Sequence, residues 1–302
     1  MPFSAQALTL RSAGLLIIPP LLWAGNAIVG RMVHEVVPPM TLNFLRWFLA
    51  FVLLFPFAYQ VLRRSSPLWP HWRQYALVSL VGLGFYNSLL YLALQTSSPI
   101  NVTLVASSTP VFMLGLGALF FKQSVRKQQM LGALMSILGV MLVLCRGDLQ
   151  ALLQVRLMLG DVFVLIATAC WAGYSWLLAQ ITEPTEVRNN WAFLLMAQIT
   201  FGVGWSGLFT AGEWALTDAH LTLSWPLVAA LLFVALGPAL LAYRCWALGV
   251  QQVGPGVAGF FSNLTPLFTA LLSTLILGEW PAWFHMVAFL LIAGGIVMSA
   301  RR

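Results

Sequence analysis

Trp23 and Asn26 stand three residues apart inside one apolar run, and Trp171 and Tyr174 repeat that spacing inside another. Side chains three or four residues apart share one face of a helix, so each pair sets an aromatic ring beside a polar group. Asn87 and Tyr91, four apart with Tyr86 alongside, do the same in a third run. Tryptophan normally gathers at the interfaces of a membrane, whereas Trp23 and Trp171 fall near the centres of their segments. A mid-membrane ring beside an amide or a phenol suits a pocket wall, with an indole N–H to offer a ligand. The chemistry would be non-covalent recognition of an organic solute. Packing between helices is the alternative for each residue taken singly.

A second group surrounds two prolines. Ser107, Thr109, Pro110, Val111 and Phe112 are echoed about 156 residues later by Asn263, Thr265, Pro266, Leu267 and Phe268, and Pro99 is echoed by Pro255. Pro110 cannot donate to the carbonyl of Ala106, and Pro266 frees that of Ser262. In lipid an unpaired carbonyl is costly, so such breaks persist where protein, water or a hydroxyl satisfies them. Ser107, Thr109, Asn263 and Thr265 therefore offer polar groups beside two broken helices. They line a cavity, or else they bond back to their own helix around a simple kink.

Charge is scarce at depth. Arg46 lies about two turns inside its segment with no carboxylate at similar depth in that helix; snorkelling, broken-helix carbonyls or a substrate carboxylate are its possible partners. Arg244, near a segment end, suits snorkelling. No Asp or Glu falls mid-segment, since Asp161 and Glu279 sit near ends. His34, His71, His220 and His285 lie in loops or at ends, and Cys145, Cys170 and Cys245 lack paired spacing, so neither a metal site nor a disulfide framework is expected. No nucleophile–base grouping or phosphate loop occurs. The reading is a protein that is not an enzyme and needs no cofactor.

The elements that must position these groups follow from composition. The 302 residues are 60% hydrophobic and 8% charged, with mean hydropathy +0.89. A soluble domain carries roughly 25% charged residues, so the solvent is largely a lipid bilayer. The net charge of +7 does not imply nucleic acid, because no basic patch interleaves with aromatics. Spanning takes about 20 residues per helix. Ten segments qualify, near 12–33, 41–62, 74–96, 100–121, 128–145, 159–181, 190–211, 225–247, 256–277 and 283–300. The first is too long for a signal segment and is read as a retained helix.

Orientation comes from the basic residues. With the N-terminus inside, Arg11, Arg63, Arg64, Arg73, Lys122, Arg126, Lys127, Arg188, Arg301 and Arg302 are cytoplasmic, against Arg31, Arg146 and Arg156 outside. Both termini are thus expected in the cytoplasm. The expected fold is an all-α polytopic membrane protein whose ten helices form two five-helix repeats, 1–147 and 148–302. Five is odd, so the second repeat enters from the opposite side and the pair is inverted. The echo is uneven, because Trp23-Ala24-Gly25 and Trp171-Ala172-Gly173 are 148 apart where the prolines need 156. Gly132 with Ser136 and Gly295 with Ser299 have the spacing of closely packed helices, which predicts that the fifth and tenth support each other. Both repeats lie in one chain, so a monomer suffices for function.

The chain resembles the drug/metabolite transporter superfamily, in its ten-helix bacterial branch. The likeness spans essentially the whole chain. It rests on Trp23-Ala24-Gly25, Arg46, Ala93-Leu94 leading to Ser108-Thr109-Pro110, Ala247-Leu248, Asn263-Leu264-Thr265-Pro266 and Leu277-Gly278-Glu279. Where a Gly-Glu pair would close the fourth helix, this chain has Lys122-Gln123, so any role of that glutamate transfers only to Glu279. The resemblance implies an inner-membrane exporter of small organic solutes, working by alternating access through a cavity between helices one, three, four, six, eight and nine. The abundance of tryptophan and phenylalanine is similar to bacterial aromatic amino-acid exporters; lipophilic drugs, purines and sugar derivatives are the other candidate cargoes. The four-helix multidrug members use a central membrane carboxylate for proton coupling. None is present here, which favours facilitated diffusion down the cytoplasmic gradient.

Overall fold

A computed structural model describes residues 7–33, 35–97, 99–148, 150, 158–181, 187, 190–277 and 282–301. His34, Arg156, Arg188, Gly278, Glu279 and Arg302 lie outside the described residues. Among the described residues there are ten helices long and apolar enough to cross a membrane, and no strand. We name them α1 to α10. They are α1 (Leu10–Val33), α2 (Pro39–Ala58), α3 (Trp72–Thr96), α4 (Pro99–Phe121), α5 (Lys127–Leu144), α6 (Leu159–Gln180), α7 (Trp191–Leu216), α8 (Trp225–Val253), α9 (Pro255–Leu277) and α10 (Trp283–Ala300). Helices are the natural solution for such apolar runs, because all their backbone bonds are made within the segment.

Four of the ten are interrupted, and the interruptions come in corresponding pairs. In α4 the α-helical bonding stops at Ala106 and resumes at Thr109; in α9 it stops at Phe261 and resumes at Leu264. These are the breaks expected from Pro110 and Pro266. The other pair has no sequence forecast: α3 contains a π-helical stretch at Leu80–Phe85 and α8 one at Ala235–Leu241. A π stretch shifts bonding by one residue and re-aims carbonyls, often near functional sites. In α8 the missing N–H of Pro238 supplies part of the reason.

Two helices run past their expected ends. α7 continues to Leu216 through Glu213, a charge that marks a boundary in a hydropathy reading. Its carboxylate accepts from the backbone N–H groups of Met40 and Thr41, both at 2.9 Å, and from the Thr41 hydroxyl at 2.8 Å. Glu213 thus caps the first turn of α2, where free N–H groups favour a negative charge. α8 runs on through Gln251 and Gln252 until Gly254, whose φ of 85° is a conformation that glycine adopts without steric cost.

α5 and α10 form a close seam, as the small-residue spacing predicts. A side-chain carbon at Gly132 would meet the carbonyl of Gly295 at 2.6 Å, and one at Gly295 would meet the carbonyl of Gly132 at 2.6 Å. The seam is reciprocal further along too, with Gly139 against Ile292 and Ala288, and Gly295 against Ser136. The ring cluster that follows is contributed by α1, α2, α3, α6 and α8.

Candidate functional site

Four of the sequence-selected aromatic residues, Trp23, Tyr86, Trp171 and Tyr174, meet in one cluster, while Tyr91 packs with Val33, Val37 and Leu42. Trp171 of α6 stacks on Tyr174 with centroids 5.1 Å apart, and lies 4.7 Å from Tyr86 of α3. Trp23 of α1 meets Trp171 edge-on at 5.0 Å. Such edge-to-face and offset geometries are the favoured ones for aromatic pairs. Sequence reasoning missed three members. Tyr243 and Trp246 of α8 lie 5.6 Å and 5.1 Å from Trp171, and Trp47 of α2 meets Tyr243 at 4.9 Å. The Tyr243–Trp246 pair carries the three-residue spacing that picks out Trp23 with Asn26, so a signal was available.

The polar groups are tied mainly to the π stretches. The Gly82 carbonyl accepts from the Tyr243 hydroxyl at 3.0 Å and from Asn87 Nδ2 at 3.1 Å. Asn87 Nδ2 also reaches the Tyr243 hydroxyl at 3.2 Å. The Pro238 carbonyl accepts from Trp23 Nε1 at 3.3 Å. Thus the Trp23 indole N–H, expected to face a ligand, serves a backbone carbonyl instead. Gly82 itself is required by close approach, since a Cβ there would run into the Tyr174 ring. Tyr174 donates to Gln198 Oε1 at 2.9 Å, and Trp246 Nε1 donates to Ser175 at 3.1 Å.

Arg46 enters this cluster from α2 and is 1% exposed. Its Nη1 donates to the Tyr91 hydroxyl at 3.2 Å, and its guanidinium lies 4.8 Å from the Trp47 ring centroid. Asn26 Nδ2 approaches the same Tyr91 hydroxyl at 3.5 Å. Arg244, by contrast, stacks on Trp191 at 4.2 Å.

Ser107 and Asn263 form a second, separate polar group at the helix breaks. Asn263 Nδ2 donates to the Ser107 carbonyl at 3.1 Å and to the Ser136 hydroxyl at 2.9 Å. The two breaks are therefore joined directly. The hydroxyls of Ser107, Ser108 and Thr109 bond back to Leu104, Val105 and Ala106 at 2.6, 2.6 and 2.7 Å. The carbonyl freed by Pro110 is thus satisfied by Thr109, and that freed by Pro266 accepts from the Thr265 N–H at 3.0 Å. Kinks with local back-bonding describe this arrangement, with Asn263 as the cross-link.

A cavity of about 670 Å³ opens where α2, α3 and α7 end, and Glu35, Phe85, Ser88, Phe209, Asp218 and His220 are among the residues that line it. Ser88 accepts from Asn43 Nδ2 at 3.3 Å, which brings the cavity wall to within one turn of Arg46. A second cavity of about 260 Å³ lies at the other end, between Arg126, Gln129, Trp176 and Gly254. No group of three or more His, Cys, Asp or Glu among the described residues could hold a metal.

Comparison with known proteins gives concordant results. The model of a family described as EamA-like transporters matches this chain twice, over residues 10–145 and 158–301. A probable amino-acid metabolite efflux pump of Salmonella typhimurium is 23% identical over 298 residues, covering 94% of this chain and 93% of its own. The inner membrane transporter YhbE of Escherichia coli, uncharacterised, is 27% identical over 293 residues, with 91% and 86% covered. An uncharacterised transporter of Archaeoglobus fulgidus is 23% identical over 288 residues, with 95% and 96% covered. One crystal structure superposes with a TM-score of 0.73 at 19% identity, covering 95% of both chains, a likeness of fold.

Proposed function

The chain belongs to the EamA-like transporter family, and from that premise we propose that it exports aromatic or other hydrophobic amino acids by alternating access through its centre. That it is a multi-pass membrane transporter follows from the family and the ten helices. The observation that carries the finer reading is the ring cluster of Trp23, Tyr86, Trp171 and Tyr243 closed around polar groups. Flat rings with a few fixed hydrogen-bonding groups are how a protein selects an apolar solute with a polar head. The efflux pump among the relatives supports the same cargo class.

Inverted repeats, 1–147 and 148–302, are part of the proposal. Two corresponding pairs of positions touch each other: Trp23 with Trp171, and Ser107 with Asn263. A residue can contact its own counterpart only near an axis relating the two halves. The excess of basic residues in alternate loops supports cytoplasmic termini and an inner-membrane location. A reporter fused after Arg302 should read cytoplasmic; a periplasmic signal would overturn the orientation.

The test is solute counterflow with purified protein in liposomes. Phenylalanine and tryptophan should exchange faster than alanine, and faster than a purine nucleoside or a quaternary-ammonium drug. Faster exchange of the nucleoside or the drug would replace the amino-acid reading with the metabolite or drug reading, leaving the transporter assignment intact.

A further inference from the structure

Four buried polar atoms without a hydrogen-bond partner gather on one side of the ring cluster. They are Arg46 Nε, Trp47 Nε1, Asn43 Oδ1 and Asn26 Oδ1. Asn43, Arg46 and Trp47 share a face of α2 at spacings of three and four, and Asn26 is joined to Arg46 through the Tyr91 hydroxyl, which both approach. Buried polar groups are nearly always paired, and a group left unpaired calls for a ligand, a water or a catalytic role. A guanidinium has five donors and no acceptor. Arg46 has neutral phenol oxygens near it, at Tyr91 and Tyr243, and a ring face at Trp47, and no carboxylate among the described residues pairs with it. A lone cation at membrane depth is expensive, and such residues mark substrate paths.

We propose that Arg46 is the carboxylate-recognition point of the transport site, with Asn26 Oδ1 receiving the ammonium of the same solute. The proposal rests on the solute-export reading above and narrows it to carboxylates, α-amino acids foremost. A carboxylate supplies an anion and several lone pairs together, it matches the planar fork of arginine, and in an α-amino acid it comes with the ammonium that Asn26 Oδ1 would accept from. Nε of Arg46 and Nε1 of Trp47 are donors awaiting acceptors, while Oδ1 of Asn26 is an acceptor awaiting a donor. That complement is the mirror of an α-amino acid head, and the rings beside it take the side chain. The cavity that ends at Ser88, bonded to Asn43, gives a route toward these atoms from one membrane face. A lipophilic cation would leave the guanidinium unpaired, and a neutral purine would offer it lone pairs without a countercharge, so the site favours a carboxylate over both.

The experiment compares four compounds that share one ring: phenylalanine, 3-phenylpropionate, phenylalaninamide and phenethylamine. Each is offered to wild-type protein in liposomes as a competitor in counterflow, and to detergent-solubilised protein in a thermal-shift assay. The first two should compete and stabilise at concentrations about 10-fold or more below the last two, as expected for a charge-assisted hydrogen bond. In Arg46→Gln the advantage should vanish, so that phenylalanine and phenylalaninamide compete alike. If Arg46→Gln does not fold, the wild-type order alone decides. Equal competition by phenylalanine and its amide in the wild type would overturn the proposal and leave the transporter assignment standing. Failure of phenylalanine with success of 3-phenylpropionate would sink the amino-acid reading and keep Arg46 as the carboxylate point. If none of the four competes or stabilises, the unpaired atoms belong to buried water and the proposal falls.

Discussion

The α5–α10 seam and the central ring cluster each join the two stretches matched by the family model, yet they differ in kind. In the seam, backbone lies against backbone, with Gly132 and Gly295 each within 2.6 Å of the other's carbonyl for any added carbon. Nothing there is adjustable. In the cluster, large rings meet at 4.7 to 6.3 Å, and the helices that carry them include two π stretches. Four polar atoms beside it lack partners. Small residues and van der Waals packing hold helices together in lipid, while unpaired polar groups and irregular backbone lower local stability. Under the proposed function the seam is the support and the cluster is the part that binds and moves.

The sharpest way to break that contrast is to enlarge the seam. Gly295→Leu forces α10 away from α5, since even its Cβ has no room. The cost should exceed the ~1–3 kcal/mol usual for overpacking, and the yield of monodisperse protein should drop roughly tenfold or more. Normal yield with normal transport would show that the seam yields and is no fixed support. A smaller and more selective effect is expected at the cluster. Trp171→Ala removes a ring that touches Trp23, Tyr86, Tyr174, Tyr243 and Trp246. Counterflow of phenylalanine and tryptophan should fall roughly 2- to 10-fold relative to alanine, the scale of lost ring stacking. Trp69→Ala, a half-exposed control whose indole donates to the Arg63 carbonyl, should leave both rates unchanged. Equal slowing of all solutes by Trp171→Ala would make its role packing.

The same contrast explains what could be read from the sequence. Helix number, the breaks at Pro110 and Pro266 and the α5–α10 seam depend on local features: run length, a missing N–H and glycine spacing. Each was legible. Trp23, Asn26, Asn87, Tyr91, Trp171 and Tyr174 were legible as candidates because one helix face displays them. The contacts they make across the chain were not. Tyr243 reaches the Gly82 carbonyl across 161 residues, and the π stretch that turns this carbonyl outward leaves no hydropathy trace. The end of α7 was misplaced for a related reason: Glu213 looks like a boundary until the first turn of α2 is set against it.

The smallest expected effect separates the cluster from the paired breaks that flank it. Pro110→Ala and Pro266→Ala each restore a backbone donor, and an interior proline costs about 3 kcal/mol in an ordinary helix. Neither change should lower yield or thermal stability, because Thr109 already satisfies the Ala106 carbonyl and gains a competitor rather than losing a partner. Straightening either helix, however, pulls Asn263 away from the Ser107 carbonyl 156 residues earlier. If the breaks are hinges between the halves, counterflow of every solute should slow several-fold, with the preference for aromatic cargo unchanged. That pattern is opposite to the one expected for Trp171→Ala. Asn263→Ala, which removes the cross-link while leaving both prolines, should reproduce it. Normal counterflow in both proline variants and in their double variant, at normal yield, would reduce the breaks to packing and leave movement to the π stretches alone.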